Sequence, residues 1–123
     1  MKQWIRQATL PLKKRLLAAA CLRLEQTTEV QRSAYTDVAA LAFAWGNRGY
    51  AAGLSYLRDV GERAIQTPGP ILECGSGATT LLIGALTARN RTAFVALEHD
   101  RNWHEYLSRI LDHLGYTHVD LVY

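Results

Sequence analysis

Two carboxylates and a pair of glycines carry the chemistry this sequence suggests. Glu73 sits in the short apolar run Ile71-Leu72-Glu73-Cys74, two residues before Gly75 of the turn Gly75-Ser76-Gly77. Glu98 follows a second apolar run, Ala93 to Leu97, and stands 21 residues after Gly77. A glycine pair between a strand and a helix lets backbone approach a ligand closely, beside the positive end of the helix. A carboxylate there would repel a pyrophosphate once water is excluded, and would attract a ligand carrying cationic groups. Glu98 is placed to accept hydrogen bonds from two ribose hydroxyls, as the acid of nucleotide-binding folds does. A dinucleotide site wants Gly-x-Gly-x-x-Gly or Ala, and the third position here is Thr80. No Gly-Lys-Ser/Thr follows the glycines, which excludes a P-loop. Two other readings stay open: glycines that only make a tight turn, and a nucleotide-type site.

Other residue types offer less. Cys74 lies inside the glycine motif, but no histidine is placed by sequence to activate it, and a small apolar filler is the simpler reading. Cys21 reads the same way. His104 and His113 are nine apart on one predicted helix and point to opposite sides. No histidine and cysteine have zinc-ligand spacing, so no metal site is expected. His99, between Glu98 and Asp100, reads as a loop residue before it reads as a catalyst. Trp45-Gly46-Asn47-Arg48-Gly49-Tyr50 is the other rich stretch: Trp45 and Tyr50 could close over a site, or could form a helical corner with aromatics in the core.

The elements that must position these groups follow from periodicity. The chain has 123 residues, 49% hydrophobic and 20% charged, which fits one globular domain and excludes a disordered chain. No apolar run approaches the roughly 20 residues of a membrane span. Two cysteines far apart rule out a disulfide scaffold and fit a reducing compartment, so a cytoplasmic location is expected. The net charge of +3 divides unevenly. Residues 1–24 hold six cations (Lys2, Arg6, Lys13, Lys14, Arg15, Arg23) and no acid, while residues 25–123 hold eight arginines against eleven acids. The basic balance therefore gives no strong nucleic-acid signal for the body of the chain.

Residues 1–69 read as helical. The basic head resembles a short export signal, but Arg23 ends its apolar run and a helix fits better, with Thr9 as cap, Pro11 in the first turn and Leu17, Ala20, Cys21 and Leu24 on one face. Packing on the body is the plain role for this helix. A membrane-surface or anionic-partner contact through residues 10–24 is the sharper one. Val30, Ala34, Val38, Leu41, Ala42 and Trp45 form a second helical stripe, and Tyr50, Leu54, Leu57, Val60 and Ala64 a third, stopped by Thr67-Pro68-Gly69-Pro70. Residues 70–123 then alternate strand, helix, strand, helix, strand, which predicts an α/β fold with a parallel sheet. The apolar strands and the nearly all-apolar helix Ala78–Ala88 fit a sheet buried on both faces. Arg101 to Leu114 is an amphipathic helix ended by Gly115, and Asp120 suits only an outer strand.

The run Ile71-Leu72-Glu73-Cys74-Gly75-Ser76-Gly77-Ala78-Thr79-Thr80 resembles the first motif of class I S-adenosylmethionine-dependent methyltransferases. Val95-Ala96-Leu97-Glu98-His99-Asp100 resembles their second. The resemblance covers residues 70–123 and implies a Rossmann-like sheet whose first three strands lie in the order 3-2-1. It implies that Glu73, Gly75 and Gly77 wrap the methionine part of S-adenosylmethionine, that Glu98 binds the ribose, and that His99, Asp100 and Trp103 flank the adenosine. Thr79 stands where many members have a third glycine. The family's seven-strand core continues past the third strand, so the chain reads as an N-terminal part. No residue is assigned to catalysis, and the methyl acceptor is unknown. The first strand then lacks its neighbour, and its edge is expected to self-associate or to be covered by the N-terminal helices. The expected function is an S-adenosylmethionine-dependent methyltransferase. The alternative is a non-catalytic module that binds the cofactor, a protein or a membrane surface.

Overall fold

The computed structural model describes residues 2–28, 32–46 and 52–123, with side chains described from residue 12 in the first stretch and from residue 35 in the second. Helix α1 spans Lys2–Glu25, α2 Arg32–Trp45 and α3 Leu54–Gln66. Then come β1 (Ile71–Cys74), α4 (Ala78–Thr87), β2 (Phe94–Leu97), α5 (Arg101–Leu114) and β3 (Val119–Val122). Helix α1 starts at Lys2, so Thr9 does not cap it and Pro11 lies inside it. The stretch from Lys2 to Ala8 is rich in good helix formers, which extends the helix upstream of the cap signal. Val30 and Asn47 to Tyr50 fall outside the described residues.

The three strands form one parallel sheet with β2 in the middle. Glu73 lies opposite Ala96, and Val95 opposite Asp120. Asp120 is exposed on an outer strand, where a carboxylate keeps its water. Among the described residues strand β1 pairs only with β2, and α1 and α2 pack on α4.

Leu81, Leu82 and Ala85 of α4 sit at the centre of the core. Around them lie Leu17, Ala20, Cys21 and Leu24 of α1, Val38 and Leu41 of α2, Leu57 of α3, and Leu107 and Leu111 of α5. That is why α4 is apolar all round: helices surround it. A smaller cluster joins Ala64 and Ile83 to Phe94 and Ala96, with Ile71, Val119 and Leu121 against it.

The sheet is not buried on both faces, as its apolar strands suggested. The helices pack on the sheet face that carries Ile71, Phe94, Ala96, Val119 and Leu121. The opposite face is open: Leu72 is 66% exposed, and Leu97 and Val122 are each 39% exposed. Cys74 points to that open face and is exposed, so it is not a core filler. An apolar run tells that a strand can be buried, and only the packing decides on which faces.

Candidate functional site

The Gly75-Ser76-Gly77 turn joins β1 to α4 at the carboxyl ends of the strands. Gly75 has φ +90°, a conformation that glycine adopts without strain. Its N–H donates to Leu97 O at 2.9 Å. The Ser76 N–H and hydroxyl both donate to Glu98 Oε2, at 3.2 and 2.6 Å. The Gly77 N–H donates to the Thr80 hydroxyl at 2.9 Å. All three N–H groups of the turn are thus spent inside the protein. Trp103 pins the turn from the other side, its indole N–H donating to Ser76 O at 2.9 Å. An added Cβ at Gly77 would meet nothing within 4 Å, so the turn faces open space there.

Glu73, the last residue but one of β1, lies on the helix-covered face. Its carboxylate accepts from the hydroxyls of Thr79 and Thr80, the latter at 2.6 Å. Thr80 is fully buried and links the Gly77 N–H to Glu73 through its hydroxyl. Burial pushes the Glu73 carboxyl above its ordinary value, the two threonine hydroxyls oppose this, and the negative charge of Glu98 adds to it. Two hydroxyls hold this carboxylate, and among the described residues no cation pairs with it.

Glu98 is 7% exposed. Its Oε1 accepts from the Asp100 N–H at 2.9 Å, and its Oε2 from Ser76 twice. Burial alone would raise its pKa. Hydrogen bonds from the Ser76 hydroxyl and from the backbone of Asp100, Ser76 and His99 outweigh that and hold it below the ordinary value. A carboxylate has about four acceptor sites, and the protein's own loop takes most of them. Asp100 caps α5 by accepting from the Trp103 N–H at 2.8 Å. His99 stands in solvent, its Nδ1 3.4 Å from Glu98 Oε1.

A cavity of about 500 Å³ opens between α3, the free side of β1 and the turn. Its size suits a small molecule. Glu73, Gly75, Gly77 and Trp103 line it; Glu98, His99 and Asp100 lie beyond its wall. Trp45 also lines it, with its ring centroid 5.5 Å from that of Trp103 in an edge-on arrangement. Tyr50, the other aromatic of that stretch, lies outside the described residues.

Sequence reasoning missed three contributors. Ser76 holds Glu98, Thr80 joins the turn to Glu73, and Arg63 of α3 brings a cation to the cavity wall facing β1. The hydroxyls had a signal, since serines and threonines at a helix start satisfy local donors. Arg63 had none beyond sharing the helical stripe of Val60 and Ala64. Among the described residues no group of histidine, cysteine and acid side chains could hold a metal ion, and no helix is long and apolar enough to cross a membrane. Compared with known proteins, the chain matches no family model, no curated protein and no solved structure.

Proposed function

We propose that the cavity beneath the glycine turn binds a small molecule with a positively charged group, and that S-adenosylmethionine is that molecule. The observation that carries this reading is the contrast between Glu73 and the turn. The N–H groups of Gly75, Ser76 and Gly77 are already spent, while Glu73, held by two hydroxyls and paired with no cation among the described residues, lines a cavity whose α3 wall carries Arg63. An ammonium or sulfonium beside Glu73 would supply the missing charge, and Trp45, Tyr56 and Trp103 line the same space with rings that favour cations. The sulfonium would supply a methyl group for in-line displacement. The chain's own residues would hold and orient the molecule, and none is assigned to the transfer itself.

A central β2 with β1 and β3 outside is compatible with the first half of a Rossmann-like sheet in the order 3-2-1. The fit is less direct at the ribose. Glu98 would accept a vicinal diol only if the Ser76 hydroxyl gave up its place on Oε2.

Calorimetry tests the proposal. The chain should bind S-adenosylmethionine and S-adenosylhomocysteine and ignore nicotinamide dinucleotides and ATP. Glu73→Gln should weaken the sulfonium compound about tenfold or more, the loss of one charge-assisted contact. Preference for a nicotinamide dinucleotide would overturn the reading. Binding without methyl transfer to any acceptor would favour the non-catalytic module.

A further inference from the structure

The cavity beside β1 carries charge of both signs. Glu73 lines it from β1 and Arg63 from α3. Helix α3 leads into β1 through residues 67–70 alone, and its Val60 and Ala64 join the apolar cluster that holds Ile71. The two elements therefore lie side by side and run in opposite directions. Arg63 stands three residues, about 5 Å, before the end of α3. Glu73 stands two residues, about 7 Å, into β1. The short connection thus brings both charges to a similar height on facing walls. They do not bridge each other, and among the described residues neither has an ion-pair partner. Asp59, one turn before Arg63, does not bridge it either. A cation in the last turn of a helix also favours the free carbonyls there. That role leaves most of the guanidinium's five donors unused.

We infer that Arg63 and Glu73 together select a zwitterion: the α-ammonium of an amino-acid group goes to Glu73 and its α-carboxylate to Arg63. The inference rests on the proposal that S-adenosylmethionine occupies this cavity, and adds which end of the molecule each wall recognises. Charge selects the class. A ligand with positive charge alone would be repelled by Arg63, and one with negative charge alone by Glu73. A ligand with both, on adjacent atoms, satisfies both walls. The guanidinium fork matches a carboxylate with two parallel hydrogen bonds. Trp45, Tyr56 and Trp103 line the same cavity and leave apolar surface for the rest of the molecule.

Calorimetry with S-adenosylhomocysteine and its decarboxylated counterpart tests this. The two compounds share the amine, the neutral sulfur and the adenosine, and differ in the carboxylate. The native chain should bind the carboxylate-bearing compound about tenfold or more tightly, the gain of one charge-assisted contact. Arg63→Gln should abolish that preference and leave affinity for the decarboxylated compound unchanged or improved. Arg63→Lys, which keeps the charge without the fork, should restore part of it. Equal affinity of the native chain for the two compounds would overturn the inference and leave the cofactor reading standing. So would an Arg63→Gln chain that loses both compounds alike, since a merely structural role moves both. Binding of neither compound by the native chain would overturn the cofactor reading, and this inference with it.

Discussion

The two acids differ at the residue scale in a way that stability measurements can read. Glu98 sits below the ordinary carboxylate value, so its contribution is present above that value and is lost as pH falls through the lowered one. Glu73 sits above it, so its ionised form weighs against the fold and acid relieves the cost. Denaturant unfolding at neutral pH should therefore show Glu73→Gln neutral or stabilising. Glu98→Gln should cost about 1–3 kcal/mol, because the Ser76 and Asp100 donors lose a carboxylate acceptor. Both differences should shrink in acid. Equal destabilisation by the two variants would contradict the assignment. Ser76→Ala separates the two roles of Glu98: it should tighten the ribose-bearing S-adenosylhomocysteine while lowering the melting temperature. Unchanged or weaker binding would leave Glu98 as a staple of the turn alone.

At the scale of elements, α4 and β3 meet through Gly84. A Cβ there would lie 3.0 Å from Tyr116 Cδ2 and 3.3 Å from Val119 Cγ2. Tyr116 is buried and its hydroxyl donates to Glu25 at 2.7 Å, so the ring has little room to give. Gly84→Ala should therefore destabilise by about 1–3 kcal/mol from overpacking, although alanine improves helix propensity by about 1 kcal/mol. Thermal unfolding decides, and a stabilised variant would show that the ring yields. His118 supports the same junction. Thr87 spends its hydroxyl proton on Ile83 O, so the one Nε2–H of His118 is shared between Thr87 Oγ1 and Gly84 O. Burial holds His118 below its ordinary value, so this junction should begin to weaken as pH falls below the ordinary histidine range. The sequence showed Gly84 only as a helical glycine, because the residues that crowd it arrive from elsewhere in the chain.

Across the whole molecule, α1 is tied to the end of the chain. Tyr116 bonds Glu25, and Cys21 is buried beside them, its thiol pushed up to about 12 by burial, which outweighs a hydrogen bond with Tyr116. Cys74 is exposed on the open sheet face. The two thiols should therefore report different events. A thiol reagent should modify Cys74 at once and Cys21 only when the core opens, and Tyr116→Phe should speed the second step by destabilising the α1 junction. Rapid modification of Cys21 in the native protein would show that the residues before Pro70 open independently of the sheet.

The alternation of strands and helices, the glycine turn and the placing of both acids near strand ends were legible because they depend on local chemistry: periodicity of two or 3.6, a positive φ, a cap. Cys74 and Leu72 show where that stops, since an apolar strand reads the same whether one face is covered or two. The spending of the turn's N–H groups, the two bonds from Ser76 to Glu98, and the cavity shared by Glu73, Trp45 and Arg63 join residues far apart in the chain. Only tertiary packing, which sets distances that no local pattern encodes, decided them.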